Sequence, residues 1–342
     1  MAKEEITLAL LDEKSIEKQV LVYRAAFEPT ESLEDNLIRW KKKHFDNPLG
    51  SSLIIGAFIN DELVGMNAYM PVEYTINGER IKMLQSCESG VLPSCQGKGI
   101  WKKVVTYALK YIKEETDYKL VIGFPNYINS YPGFKKMGWK TVCNMKNYVM
   151  INNLRAFKTV FQRKSPIFRF ALNGVAIQRV VCAIHKQSKY HVEKALPEDL
   201  IWNDNESGVL KCGHSVELLK WKEDYKELIP VCIKDGGKTV ATCLYGLSTY
   251  NGSEIIKLEC FECLAECARY SKSIFASILS YFAKQHEEAS FVRVWAQDNS
   301  SMAKLLKKLL FMGSSHPNPF IVNNPESKYA DMPWSLSFFD LD

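Results

Sequence analysis

The sequence predicts an α/β protein of the α+β kind, built from two similar units, each a mixed, mostly antiparallel sheet flanked by helices. Three observations carry this expectation. Apolar runs alternate with tight turns over residues 51–91, a glycine turn at 96–99 opens an amphipathic stretch, and the same order recurs beyond residue 210. With 342 residues, 46% of them hydrophobic, the chain has enough apolar material to bury a core in each unit.

Leu33, Leu37, Ile38 and Trp40, followed by Phe45, fall at helical spacing until Asn47-Pro48 stops the helix. Residues 51–58 read as a strand, Asn60-Asp61 as a turn and 63–74 as the next strand, and Asn77-Gly78 closes a hairpin onto 80–91. A helix is expected over 99–115, a strand over 118–124 ended by Pro125-Asn126, a short helix over 130–137 and a closing hairpin from 139–150. In the second half Leu218-Leu219-Lys220-Trp221-Lys222 echoes Leu37-Ile38-Arg39-Trp40-Lys41. Strands follow over 229–233, 239–248 and 254–261, then a helix over 271–287, a strand over 291–296 and a helix over 299–310. Residues 319–322 and 334–339 are left as a last pair. The halves match element for element, which points to an internal duplication. The expected division is 1–153, a connector over 154–189, and 190–342.

Composition excludes several classes. The first residues lack a secretory pattern, and no window approaches the roughly 20 apolar residues of a membrane span. The ten cysteines have no matched His or CxxC spacing, so they read as reduced thiols rather than disulfides or a zinc site, and a cytoplasmic location and no metal are expected. Residues 154–189 hold eight Lys and Arg and no acid, more than the whole net charge of +5, so the remainder is slightly acidic. A nucleic-acid partner is therefore disfavoured. Cations alternating with Phe157, Phe161, Phe168 and Phe170 fit a helical connector packed on both units, with peripheral membrane contact as the less favoured use.

The sharpest chemical signal is the run from Val91 through Gln96, Gly97, Lys98, Gly99, Ile100 and Trp101, set between a strand and a helix. Glycines there let consecutive amides turn toward one anion, and the new helix adds the positive end of its dipole. A pyrophosphate suits such a cradle. It has neither the spacing nor the Lys-Ser/Thr ending of a nucleoside-triphosphate loop.

Gln96-Gly97-Lys98-Gly99 resembles the Q/R-x-x-G-x-G/A signature of the GNAT acetyltransferase superfamily, with Trp101 in place of the final small residue. The resemblance implies binding of acetyl-CoA or a related acyl-CoA, its pantetheine arm lying between strands that splay after Val91 and after Leu120. It also implies a degenerate second copy, because residues 262–271 carry no glycine and two acids where phosphate would sit. That copy is expected to wall the acceptor pocket or to buttress the first unit. The segment from Phe124 to Trp139 is similar to the superfamily's later cofactor motif, with Gly138-Trp139 at its end. The resemblance puts a thiolate-protonating Tyr where this chain has Phe134, leaving Tyr131, and after it Tyr127, to supply the acid. Asn126 and Ser130 are expected near the pantetheine, although a loop Asn equally caps a helix.

Amide formation needs a neutral amine, and a carboxylate near the thioester is the usual means of removing its proton. Glu88, inside the apolar run 83–91, is the candidate, with Glu73 as substitute; the alternative is that Glu88 pairs with a neighbouring Lys or faces solvent on alternating positions. The function expected is acetyl transfer to the primary amine of a small molecule such as an amino sugar. An acyl-CoA sensor without catalysis is the alternative, and aminoacyl transfer from charged tRNA would not need the glycine cradle.

Overall fold

A computed structural model describes residues 5–153, 189–202, 207–250, 252–323 and 328–341. The expected basic connector falls outside these residues except for Lys189.

The first half runs β1 (Thr7–Leu11), α1 (Ile16–Phe27), α2 (Leu33–His44), β2 (Leu53–Ile59), β3 (Glu62–Ile76), β4 (Glu79–Val91), α3 (Ile100–Glu115), β5 (Val121–Gly123), α4 (Tyr131–Lys136) and β6 (Lys140–Ile151). The second runs β7 (His191–Lys194), β8 (Leu210–Cys212), α5 (Val216–Lys226), β9 (Ile229–Asp235), β10 (Lys238–Tyr250), β11 (Ser253–Cys263), α6 (Ser271–Gln285), β12 (Phe291–Gln297), α7 (Ser301–Lys308), β13 (Met312–Gly313), β14 (Asn318–Asn323) and β15 (Trp334–Ser335).

Local chemistry sets the helix limits. Ser32 caps α2 by accepting the Asp35 amide at 3.1 Å, and four basic residues in its last turn offset the negative end of the dipole. The buried face of α2 is Asn36, Trp40, Lys43 and His44, whereas Leu33 and Ile38, expected inside, are exposed. In α3 the buried residues Ile100, Val104, Ala108 and Ile112 recur every four positions and seat the helix on the sheet.

Twelve strands form one path, β1-β2-β3-β4-β5-β14-β6-β12-β11-β10-β9-β7. It is mixed and mostly antiparallel; on this path β4 with β5 and β11 with β12 are the parallel pairs. The run α2-β2-β3-β4-α3-β5 recurs as α5-β9-β10-β11-α6-β12. Each run is completed by a strand from the other half: β14 lies against β5, and β6 lies against β12. β6 and β14 pair antiparallel at the centre of the sheet.

Three sequence expectations are corrected here. Residues 140–151 form one strand rather than a hairpin, because both of its edges are filled by the other half's β14 and β12. Residues 334–335 pair with β8 and not with 319–322, and 338–340 form a 3-10 turn. A first strand, β1, precedes the helices and pairs with β2. One core cluster draws on both halves, joining Tyr74, Met83 and Ile122 to Trp295, Phe320 and Phe338. Among the described residues, no helix is long and apolar enough to cross a membrane.

Candidate active site

The parallel pairing of β4 with β5 covers only Leu84–Ser86 against Val121–Gly123. β4 then runs on for five residues to Val91 without that partner, so the strands part at Ser86, earlier than the expected Val91, and at Gly123, later than the expected Leu120. At the same place β4 bulges. Cys87 pairs with Ala68 and Gly90 with Met66, which leaves Glu88 and Ser89 opposite Asn67 alone. Glu88 takes φ +31°, a left-handed value that an L-residue holds only when its surroundings compel it.

Those surroundings are the end of α2. The Glu88 carboxylate is ion-paired with Lys43, and its other oxygen lies 3.4 Å from His44 Nε2. His44 Nδ1 stands 2.9 Å from Ser52 Oγ, and its ring packs on Trp40 at 4.4 Å between centroids. Burial alone would push the Glu88 carboxyl up, but the Lys43 ammonium and His44 outweigh it and hold the group well below the usual carboxylate range. Glu88 is therefore ionised throughout the neutral range. The Tyr23 hydroxyl is pushed up by its own burial and then by the Glu88 charge, so it stays protonated beside it. Cys87, His44 and Glu88 bring potential ligand atoms within 4.8 Å of one another, but Lys43 already balances the carboxylate, and a cation there would have to displace it.

The cradle follows β4. Gly97 and Gly99 have φ of +78° and +75°, and a Cβ added at either would meet nothing within 4 Å, so the backbone presents an open concave turn. Gly99 is the N-cap of α3, whose first amides have no acceptor within the helix. Gln96 Nε2 donates to the Val91 carbonyl at 3.3 Å and ties the turn to the strand end. Lys98 is exposed on the turn, while the Ile100 side chain is buried and can offer only its amide. This open, positive helix end fits a pyrophosphate, and the splay beside it fits an extended arm.

Trp101 crosses the mouth of the splay. Its Nε1 donates to Ser89 Oγ at 2.6 Å, and its ring meets Phe134 edge-on at 5.0 Å. Phe134 in turn meets Trp139 at 4.7 Å and is buried, so the position where the resemblance puts an acid serves packing here. Room for Trp101 comes from Gly133, where a Cβ would stand 2.7 Å from the indole. Gly133→Ala is therefore expected to displace a rigid ring and break the Ser89 bond, costing about 1–3 kcal/mol, which thermal denaturation would register as a lowered Tm.

Tyr131 opens α4, with its hydroxyl 2.9 Å from Thr141 Oγ1 on β6 and its ring stacked on exposed Tyr127 at 5.6 Å. Asn126 Oδ1 accepts the Ile128 and Asn129 amides at 3.0 and 3.1 Å, and Ser130 is the N-cap of α4. Asn126 thus builds the turn before α4 with its oxygen. Lys43, His44 and Tyr23 were not singled out in the sequence. The helical period places Lys43 and His44 on one face with Trp40, and that was the signal available.

On the far side of Glu88 a cavity of about 980 Å³ opens between the halves. One wall is α1, the α1–α2 loop and α2; the other is the end of α5 with β10 and β11. Its cations are matched by acids: Lys42 with Asp224 at 2.8 Å, Lys226 and Lys257 with Glu259 at 3.3 and 2.8 Å, and Arg39 with Glu31 at 3.7 Å. Glu73 lies on β3 beside Arg80 at 3.7 Å and close to Gly213, and it is not among the residues lining this cavity.

Comparison with known proteins gives the class. The fold is shared with a probable N-acyltransferase from Enterococcus faecalis V583 (TM-score 0.64, 10% identity, 93% of this chain and 72% of that one). A GCN5-related N-acetyltransferase from Anabaena variabilis is similar (TM-score 0.62, 12% identity, 93% and 72%). So is N-myristoyltransferase from Saccharomyces cerevisiae with bound myristoyl-CoA (TM-score 0.61, 13% identity, 95% and 80%). No curated protein matches the sequence. Residues 8–142 match the acetyltransferase (GNAT) domain family, and these residues contain the cradle, the bulge and the splay. The first half of the chain thus contains a GNAT acetyltransferase domain.

Proposed function

We propose that the chain transfers an acetyl group from acetyl-CoA to a primary amine by direct attack. The observation that carries this reading is the open cradle of Gly97 and Gly99 at the start of α3, set beside strands that part next to an ionised, buried Glu88. Acetyl-CoA supplies the thioester. The amide bond forms as the C–S bond breaks, and the products are the amide and free CoA thiol.

The residues divide this work. Amides from Gly97 to Trp101 hold the pyrophosphate, and the β4 edge from Ser89 to Val91 positions the arm. Glu88, held ionised by Lys43, is too weak a base to take the amine's proton, so it sets the negative charge beside the amine while the proton passes to water in the cavity. The Tyr131 hydroxyl, already polarised by Thr141, supplies a proton to the departing thiolate. The acceptor enters from the cavity between the halves.

Glu88→Gln is expected to keep CoA affinity and to lose roughly 100-fold in kcat, followed by thiol release. Tyr131→Phe is expected to lose about tenfold or more in the same assay. Unchanged kcat in folded Glu88→Gln would move the role to another carboxylate, and in Tyr131→Phe to Tyr127.

A further inference from the structure

The cavity beside Glu88 has an open sheet edge in its wall. β9 pairs with β10 only as far as Ile229 opposite Tyr245, where the chain turns away into α5. β11 follows the other edge of β10 to Tyr250 opposite Ser253. Among the described residues, no strand therefore covers the β9-side edge of β10 from Gly246 to Tyr250, and Gly246 to Thr249 line the cavity. Five residues give about 16 Å of edge.

Proteins usually guard such an edge with lysine, proline or a bulge, because its free N–H and C=O groups pair with any extended chain. Here Leu247, Ser248, Thr249 and Tyr250 are exposed, uncharged and regularly paired to β11, and they include the β-branched and aromatic types that strands favour. Among the described residues the edge is left without a partner strand. Four of its five residues also line a cavity walled by both halves.

We infer that the acceptor is a peptide segment that adds as a strand to the open edge of β10 and so carries its amine into the cavity that holds Glu88. This rests on the acyl transfer proposed above and names its substrate class, departing from the small molecule that the sequence alone suggested. Main-chain bonds to the edge supply affinity, and alternate side chains supply selectivity. Leu247 on β10 and Phe27 and Ile38 on the opposite wall are about half exposed and offer apolar contacts for them. Six carboxylates against five cations in the lining leave the cavity net negative, which suits an incoming ammonium. The peptide amine attacks the thioester carbon, the N–C bond forms as the C–S bond breaks, and the amine proton and the thiolate end as solvent proton and thiol.

The test offers acetyl-CoA with random octapeptides bearing a free N-terminal amine, the same library N-acetylated with one internal Lys, and a panel of small amines. The best peptide is then remade with a single backbone N-methyl at each position in turn. Losses of tenfold or more at alternate positions only are expected, since every second amide of a strand faces its partner. Ser248→Pro and Thr249→Pro point opposite ways from β10; the one facing the open edge should lower peptide kcat/KM tenfold with unchanged CoA affinity. Losses without period two, acylation of small amines alone, or CoA binding with no acylation of any peptide would overturn the inference. So would a concentration-dependent dimer abolished by the open-edge proline, which would assign the edge to a second copy. Absence of CoA binding by the unaltered protein would instead remove the acyl-transfer reading itself.

Discussion

Gly99→Glu is expected to weaken acyl-CoA binding by roughly 100-fold or more while the protein remains folded. A Cβ added there meets no protein atom within 4 Å, so the substitution starts into open space, although φ +75° costs the new residue about 1 kcal/mol. Its effect is electrostatic. A carboxylate at the N-cap of α3 neutralises the positive helix end and occupies the concave side of the turn, where two phosphates would have to approach. Gly99→Ala separates the causes: it keeps the backbone cost and adds no charge, so it should lose far less. Calorimetry with CoA decides the matter, and unaltered affinity in folded Gly99→Glu would falsify the cradle.

The second large effect is expected at Lys43. Lys43→Met leaves the part-buried Glu88 without its cation, and breaking such a pair should cost up to roughly 3 kcal/mol at pH 7. The pH dependence has a defined sign. In the unaltered protein the folded pKa of Glu88 is depressed, so its stabilisation is complete above the unfolded value of about 4.3 and is lost as pH falls below it. Without Lys43, burial dominates and the folded pKa rises. The variant should therefore regain stability relative to the unaltered protein as pH falls from 7 to 4. Denaturant titrations at several pH values measure the gap, and a gap that does not narrow would mean that Lys43 acts through packing alone. His44 remains 3.4 Å from Glu88 and partly compensates, more so when protonated.

The glycine turn before α3 was legible in the sequence because its determinants are local: a strand end, two glycines and a helix start lie within eleven residues. Strands and helices of both halves were legible for the same reason, through their periods and turns. Glu88 was found as a carboxylate in an apolar strand, yet its partner was not, since Lys43 lies 45 residues earlier in a run of basic residues that reads as a solvated helix end. The pairing anticipated as the alternative, with a neighbouring Lys, is present, but the neighbour is one in space. Strand partners were the least legible feature. Residues 140–151 and 318–323 have ordinary strand patterns, and nothing in a pattern of period two specifies which edge a strand will join. The role of Trp101 was hidden similarly: its fit depends on Gly133, 32 positions on.

The crossed placement of β6 and β14 bears on how the chain is made. A growing chain delivers the first half of the sheet early, but the strand that lies against β5 spans Asn318–Asn323 and leaves the ribosome 195 residues after β5 ends at Gly123. Until then β5 has a vacant side, and β6 lacks both neighbours from the other half. The sheet around β5 must therefore wait for β14, and over that interval the nascent chain holds unpaired edges that a holdase chaperone would recognise. A nonsense codon anywhere before residue 318 would yield a product that cannot complete its sheet around β5, and cellular proteolysis would clear such fragments.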